Sequence, residues 1–258
     1  VPGAGEVLIR VAAAGLNRAD LLQMRGQYPP PPGASSIPGL ECAGVVDRLG
    51  EGVDSVRLGD RVMALLAGGG QAEWVAVPAG QLMPVPENLT LEEAAAIPEA
   101  ALTAWTNLVG EGELRAGETV LVTGATSGIG TFAVQLIREL GGKAIAAARS
   151  AERLEKLRDF GVENLVPLDA GYPKRVRDLT GGRGVDLVLD LVAGEWFPPT
   201  LDCMAERGRL VLVGLTAGRK VEVDLSVVLK RRLRLVGSVL RARPIAEKTE
   251  LVRGFAAF

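Results

Sequence analysis

The sequence predicts an α/β protein, a small barrel-like β domain followed by a doubly wound parallel sheet. Up to about Pro98 it is made of short β-rich runs broken by Gly and Pro, the pattern of a compact β domain. After Gly117, apolar strands alternate with helical patterns, as a parallel sheet covered on both faces requires. The first alternation passes from strand to helix through a glycine-rich loop.

The early strands are expected at Glu6 to Ala12, Ala43 to Leu49, Arg61 to Leu66 and Ala72 to Val77. Between them Tyr28 is followed by Pro29, Pro30, Pro31 and Pro32, which remove amide donors and fix φ, so this stretch reads as a stiff loop. A helical stretch, Leu91 to Ala96, marks the change of character. The later strands are expected at Thr119 to Thr123, Lys143 to Ala148, Asn164 to Pro167, Asp186 to Asp190, Arg209 to Val213 and Arg234 to Ser238, in the order 3-2-1-4-5-6.

Composition narrows the function. The 29 basic and 31 acidic residues give a net charge of -2, which offers no excess for a nucleic-acid backbone or an anionic membrane. Lys230-Arg231-Arg232, with Arg234, is the one basic cluster, and it reads as a solvated helix end. Cys42 and Cys203 are the only cysteines, too few for a disulfide framework or a four-thiolate zinc lobe, and they suit a reducing, cytoplasmic setting. No apolar run approaches the roughly 20 residues that span a bilayer, so a soluble chain with no membrane partner is expected. The chain has no histidine, which removes Ser-His-Asp and Cys-His catalysis and the usual imidazole metal ligands. Its chemistry must then be carried largely by a cofactor.

Val120 to Thr123 runs into Gly124-Ala125-Thr126-Ser127-Gly128-Ile129-Gly130, and Phe132, Leu136, Ile137 and Leu140 follow at helical spacing. Small residues there let backbone approach a pyrophosphate, whose oxygens the first helical amides can bind. With Gly130 as the last glycine of the usual fingerprint, Ala125 and Ser127 occupy the first two glycine positions, so the strict pattern is not met. An NAD site expects an acid at the end of the second strand, but this strand ends Ala148-Arg149-Ser150, with Arg153 beyond. Those groups suit a 2′-phosphate, so the expected cofactor is NADPH.

The loop also resembles the TGxxxGxG pattern of short-chain dehydrogenases, but neither Tyr28 nor Tyr172 has the lysine four residues on that they need. The chain instead resembles, over essentially its whole length, the quinone oxidoreductase (ζ-crystallin-like, p53-inducible type) branch of the medium-chain dehydrogenase/reductase superfamily. The resemblance rests on Ala14 to Asp20, Gln27-Tyr28 before the prolines, Pro38-Gly39-Leu40-Glu41, Gly59 to Val62, Leu102 to Trp105, the glycine loop and Thr180 to Asp186. Zinc-dependent relatives carry Gly-His-Glu where this chain has Gly39-Leu40-Glu41, and a cysteine in the segment of Gly15-Leu16-Asn17, so no metal is expected.

The resemblance implies a GroES-like domain over 1–97, a Rossmann domain over 98–240, and at 241–258 the start of a segment returning to the first domain. It implies that the chain begins just inside the first β-hairpin and stops before that segment is complete. Asn17 and Tyr28 are placed beside the nicotinamide as the catalytic pair, and Thr103 against its carboxamide. Ala125, Thr126, Ser127, Gly128 and Ile129 are expected to hold the pyrophosphate, and Arg149, Ser150 and Arg153 the 2′-phosphate. Arg153 matches a family lysine, whereas the tyrosine that assists it aligns near Leu168. Gly194, Gly214, Leu215, Ser238 and Leu240, in loops after later strands, are expected to flank the nicotinamide half.

The function so implied is a zinc-independent NADPH:quinone oxidoreductase, with a quinone or another electron-poor carbonyl compound as substrate. An NADPH-dependent enone or alkenal reductase is the nearest alternative. A non-enzymatic, crystallin-like protein that binds NADPH or nucleic acid is the alternative of another class, against which the near-neutral charge argues. Pairing of two sheets through Leu233 to Ser238 would give a homodimer.

Overall fold

Alternation of side chains along the early strands decides how the first half of the molecule is layered. Residues 1–258, all described by a computed structural model, contain five antiparallel strands before residue 85: β1 (Glu6–Ala14), β2 (Glu41–Leu49), β3 (Arg61–Leu65), β4 (Trp74–Pro78) and β5 (Leu82–Pro84). On β3, Val62 and Ala64 join one apolar cluster with Val7, Ile9, Cys42 and Val77, while Met63 and Leu65 join another with Ala43, Met83 and Leu102. That is the period of two expected when both faces of a sheet are covered.

The strand order is β4-β1-β2-β3-β5, so the two edge strands are consecutive in sequence and joined only by the short turn Ala79–Gln81. Four residues reach about 14 Å. A flat sheet would put its edges about 19 Å apart, four spacings of roughly 4.8 Å. The sheet must therefore curl, which gives the barrel-like form read from the sequence. Two elements there escape pattern reading, β5 and the helix Arg18–Met24. One is three residues ending in proline and the other two turns long, too short to establish a period.

The chain divides into two units, Val1–Leu102 with Val239–Phe258, and Thr103–Ser238. Residues 239–258 contribute Leu240 and Val252 to the apolar cluster on Met63, Leu65 and Met83, with Val252 borne on the helix Ile245–Ala256.

The second unit is a six-stranded, all-parallel sheet: β6 (Thr119–Thr123), β7 (Lys143–Ala148), β8 (Asn164–Pro167), β9 (Val185–Asp190), β10 (Met204–Leu212) and β11 (Arg234–Gly237). Its order, β11-β10-β9-β6-β7-β8, is the expected 3-2-1-4-5-6 read from the other edge. Val120 and Val122 face one apolar cluster and Leu121 the other, so β6 is buried on both sides. The expected fold class, a GroES-like β unit plus a Rossmann sheet, is the one found. β10 begins earlier than the expected Arg209, because Met204 pairs with Val185 before a break where Arg207 takes φ 59°.

Candidate functional site

In the Rossmann unit, β6 lies between β7 and β9, so its carboxyl end opens where strand order reverses, the place such sheets bind ligands. Gly124 leaves the strand at φ 70°, and the helix Gly128–Glu139 follows with Ser127 as its N-cap, whose Oγ accepts from Gly130 N at 3.1 Å. The main-chain ladder starts with Thr131 N donating to Ser127 O at 2.8 Å, leaving the amides of Gly128 and Ile129 outside it.

The glycines of this loop serve different ends. A Cβ on Gly130 would sit 2.6 Å from the backbone of the buried Ala125, so Gly130 is needed for the loop to close on the helix. A Cβ on Gly128 would meet nothing within 4 Å. Gly128 and Ser127 are exposed, so a cradle with free amides stands at a helix N-terminus. Those features fit a dinucleotide pyrophosphate.

At the end of β7, Arg149 and Arg153 are exposed and neither is held by an acid. Ser150 caps the helix Ala151–Glu155, accepting from Arg153 N at 3.3 Å. Leu168, near which the family resemblance aligns a tyrosine, is 7% exposed and packed in the core. Thr103 is buried in the helix Pro98–Trp105, and its carbonyl accepts from Asn107 Nδ2 at 2.7 Å.

The loops after β9 and β10 are built on each other. Ala217 N donates to Val192 O at 2.9 Å, a Cβ on Gly194 would collide with the backbone of Ala217, and one on Gly214 would collide with that of Leu191. Gly194 and Gly214 are thus small because backbones meet there, while Leu215 is exposed. Ser238 N extends the β10–β11 pairing to Leu212 O at 3.0 Å. Leu240 lies in the other unit, with its side chain in that unit's core.

Asp190 is a residue that sequence reading passed over. Its Oδ1 accepts from Thr123 Oγ1 at 2.6 Å and from the amides of Val192 and Ala193 at 3.0 Å each, tying the ends of β6 and β9 together. Its Oδ2 is buried without a partner. An acid closing the apolar run Leu187 to Leu189 was the available signal.

A surface hollow of about 590 Å³ lies away from these loops. It is lined by Lys174, Arg177, Asp178, Asp202 and Arg231, at the amino ends of β9 and β10. Its cations are engaged, Lys174 by Asp178 at 2.7 Å and Arg231 by the carbonyls of Leu201, Asp202 and Met204 at 3.1 Å each. Arg232 pairs with Glu206 and Arg234 with Glu113, so the basic cluster is largely neutralised in place.

In the first unit, Asn17 starts the helix Arg18–Met24, its amide donating to Asp20 Oδ2 at 2.8 Å and its Nδ2 to Glu41 Oε1 at 2.7 Å. Glu41 Oε2 accepts from Glu99 N at 2.8 Å, and a Cβ on Gly15 would overlap the Glu41 carboxylate. Asp20 Oδ1 accepts from Gly39 N at 2.9 Å. Burial pushes the Glu41 carboxyl up, opposed by its bonds to Glu99 N and Asn17. Burial, then Glu41 and Asp20, pushes Glu99 up to about 8, against Arg241 and Lys248, which lower it. Part of Glu99 meets solvent, but its Oε2 is sealed off without a partner.

Tyr28 is half-buried, with the Arg241 guanidinium 5.2 Å from its ring centroid. Burial raises its hydroxyl pKa, Arg241 lowers it and Glu99 raises it. Of the expected catalytic pair, Asn17 is bonded to Glu41, which the motif Pro38-Gly39-Leu40-Glu41 contains, while Tyr28 lies against Arg241 and feels Glu99, which stand in no local sequence pattern. Glu99 and Arg241 were missed for that reason.

No three or more His, Cys, Asp or Glu side chains are grouped to hold a metal ion. Both oxygens of Glu41 are taken by nitrogen donors, Leu40 is 1% exposed in the core, and burial pushes the Cys42 thiol up to about 12. The residues present do not fit zinc.

Residues 3–87 match the family described as alcohol dehydrogenase GroES-like domain, and residues 128–256 that described as zinc-binding dehydrogenase. The chain is 38% identical over 217 residues to the synaptic vesicle membrane protein VAT-1 homolog of Rattus norvegicus, across 83% of this chain and 53% of that protein. It thus spans about half the length of that curated relative. Against the structure of a mycobacterial quinone oxidoreductase the TM-score is 0.86 with 33% identity, across 100% of this chain and 79% of that one. Against the CurK enoyl reductase it is 0.87 with 28% identity, again across 100% and 79%.

Proposed function

The chain belongs to the medium-chain dehydrogenase/reductase superfamily, among its quinone-oxidoreductase-like members, and from that premise we propose that it is a zinc-independent NADPH:quinone oxidoreductase. It is an oxidoreductase with a nicotinamide-binding Rossmann unit and a small-molecule substrate. The observation that supports the finer reading is a glycine loop with open space at a capped helix N-terminus, backed by two arginines without acidic partners after β7, in a chain without histidine or a metal-binding cluster.

When bound, NADPH supplies a hydride. The amides of Gly128 and Ile129, with Ala125, Thr126 and Ser127, hold the pyrophosphate at the helix N-terminus. Arg149, Ser150 and Arg153 take the 2′-phosphate. Thr103, Gly194, Gly214, Leu215 and Ser238 serve the nicotinamide half, and Leu240 can add only its backbone, since its side chain is in the core. Asn17, held by Glu41, and Tyr28 orient the acceptor's carbonyl oxygens. Reducing a quinone to its hydroquinone takes one hydride and one proton, and solvent or the Tyr28 hydroxyl provides the proton.

Likeness to an enoyl reductase structure favours one second reading, hydride delivery to carbon of an enone or alkenal. Naphthoquinone, phenanthrenequinone and alkenals, scored by NADPH oxidation, rank the two. Quinones should be fastest, and Tyr28→Phe and Asn17→Ala should each lower kcat about tenfold or more. Faster alkenals would favour the second reading, and unchanged turnover in both variants would remove their roles. NADPH binding without turnover of any acceptor would sink the enzyme assignment and leave the crystallin-like binding role.

Two copies joining their sheets through β11 would form a homodimer, since β11 is an edge strand with Leu235 exposed. The cysteines are both free and buried, which suits a reducing, cytoplasmic setting. No helix is long and apolar enough to cross a membrane.

A further inference from the structure

We propose that Arg241 is the positioning residue for Tyr28, a guanidinium brought from the last twenty residues of the chain to hold the tyrosine's loop and ring in one orientation. The proposal rests on the reading of Tyr28 as an acceptor-orienting group. Arg241 is 4% exposed, and no carboxylate forms an ion pair with it. Its Nε donates to Ala67 O at 2.8 Å, its Nη2 to Gln23 Oε1 at 2.5 Å and its Nη1 to Tyr28 O at 3.4 Å. The same guanidinium lies 5.2 Å from the centroid of the Tyr28 ring.

Burying a cation away from any carboxylate partner is unfavourable, and an apolar side chain would fill that space without the desolvation. What an apolar residue could not do is grip three segments by separate donors while lying against an aromatic ring. The segments are the helix Arg18–Met24 through Gln23, the loop of Tyr28, and the chain after β3 through Ala67. Only a planar fork of donors matches that set.

The cation also sets the electrostatics at the hydroxyl. Burial raises the Tyr28 pKa, Arg241 opposes it, and Glu99 on the helix Pro98–Trp105 adds to it. Around them stand Asp20 on the first helix, Glu41 on β2 and Lys248 on the last helix; both carboxylates raise Glu99, and Arg241 and Lys248 lower it. Lys248 lies behind Arg241, its Nζ donating to Arg241 O at 3.4 Å. Arg241 is the one of these charged groups that bonds to the Tyr28 residue itself.

Phenolate absorbance tests this without relying on turnover. The chain has two tyrosines, and burial holds the Tyr172 hydroxyl far above its ordinary pKa, so a transition in the alkaline range belongs to Tyr28. Tyr28→Phe should abolish it. In Arg241→Met the midpoint should rise by about half a unit or more, and kcat for quinone reduction should fall about tenfold with the KM for NADPH within about twofold. Arg241→Lys should restore the midpoint and only part of kcat, because an ammonium keeps the charge and loses the fork. Should Arg241→Met fail to fold, Gln23→Met, which frees one arm of the guanidinium, should show the same changes in smaller measure.

An unmoved midpoint in Arg241→Met overturns the proposal. So does full turnover in that variant while Tyr28→Phe is slow, which leaves the role of Tyr28 standing and removes only that of Arg241. Full turnover in Tyr28→Phe removes the premise, and the proposal with it.

Discussion

At the scale of the residue, the proposed preference for NADPH rests on Arg149 and Arg153. Both are exposed and free of acidic partners, so whatever they contribute must come from a ligand. Charge-assisted bonds to a phosphate are about twice as strong as neutral ones. Arg149→Glu with Arg153→Glu should therefore raise the Kd for NADPH at least about tenfold and leave that for NADH within about threefold, measured by nicotinamide fluorescence. Equal losses for both dinucleotides would assign these arginines to the surface alone. Both positions could be named from the sequence, because a strand that ends in bases where an acid is expected is a local signal. Glu99 could not, because its raised pKa comes from burial and then from Glu41 and Asp20, which the fold brings near it.

At the scale of the element, the proposed dinucleotide site is β6, its loop and the helix Gly128–Glu139, and its glycines differ in what surrounds them. Gly130 has Ala125 backbone against it, whereas the space around Gly128 is open. Gly128→Ala should leave the melting temperature within about 2 °C, because the added methyl meets no protein atom and alanine favours the helix. It should weaken NADPH about tenfold or more, because the methyl enters the cradle. Unchanged affinity, measured by nicotinamide fluorescence, would show that no pyrophosphate lies there. The bounds of β6 and β7 were legible because buried parallel strands are near-continuous apolar runs. β5 and the helix Arg18–Met24 were not, since neither is long enough to establish a period.

At the scale of the whole molecule, the proposed homodimer rests on the open edge of β11. Leu235 on that strand is 42% exposed, and Leu225 and Leu229, one turn apart on the preceding helix, are 68% and 78% exposed. An apolar edge of this kind is protected when a second copy continues the sheet. Light scattering should then report a dimer, and Leu235→Lys should shift it towards monomer at micromolar concentration. A monomeric parent chain would remove the proposed pairing.

The sequence by itself determined the succession of strands, the change from a β-rich to an alternating pattern, the glycine loop, the missing histidines and the absence of a zinc ligand set. Each of these is a local pattern or a count, and local patterns follow from the periods of strand and helix and from what a glycine permits. Only the tertiary structure decided which groups surround Asn17 and Tyr28. Glu41 reaches Asn17 across 24 positions, Glu99 N reaches Glu41 across 58, and Arg241 reaches Tyr28 across 213. No period links residues that far apart. They meet because burying the apolar faces of β2, β3 and the last helix in one core brings the polar groups beside them together, where each must find a partner or change its protonation.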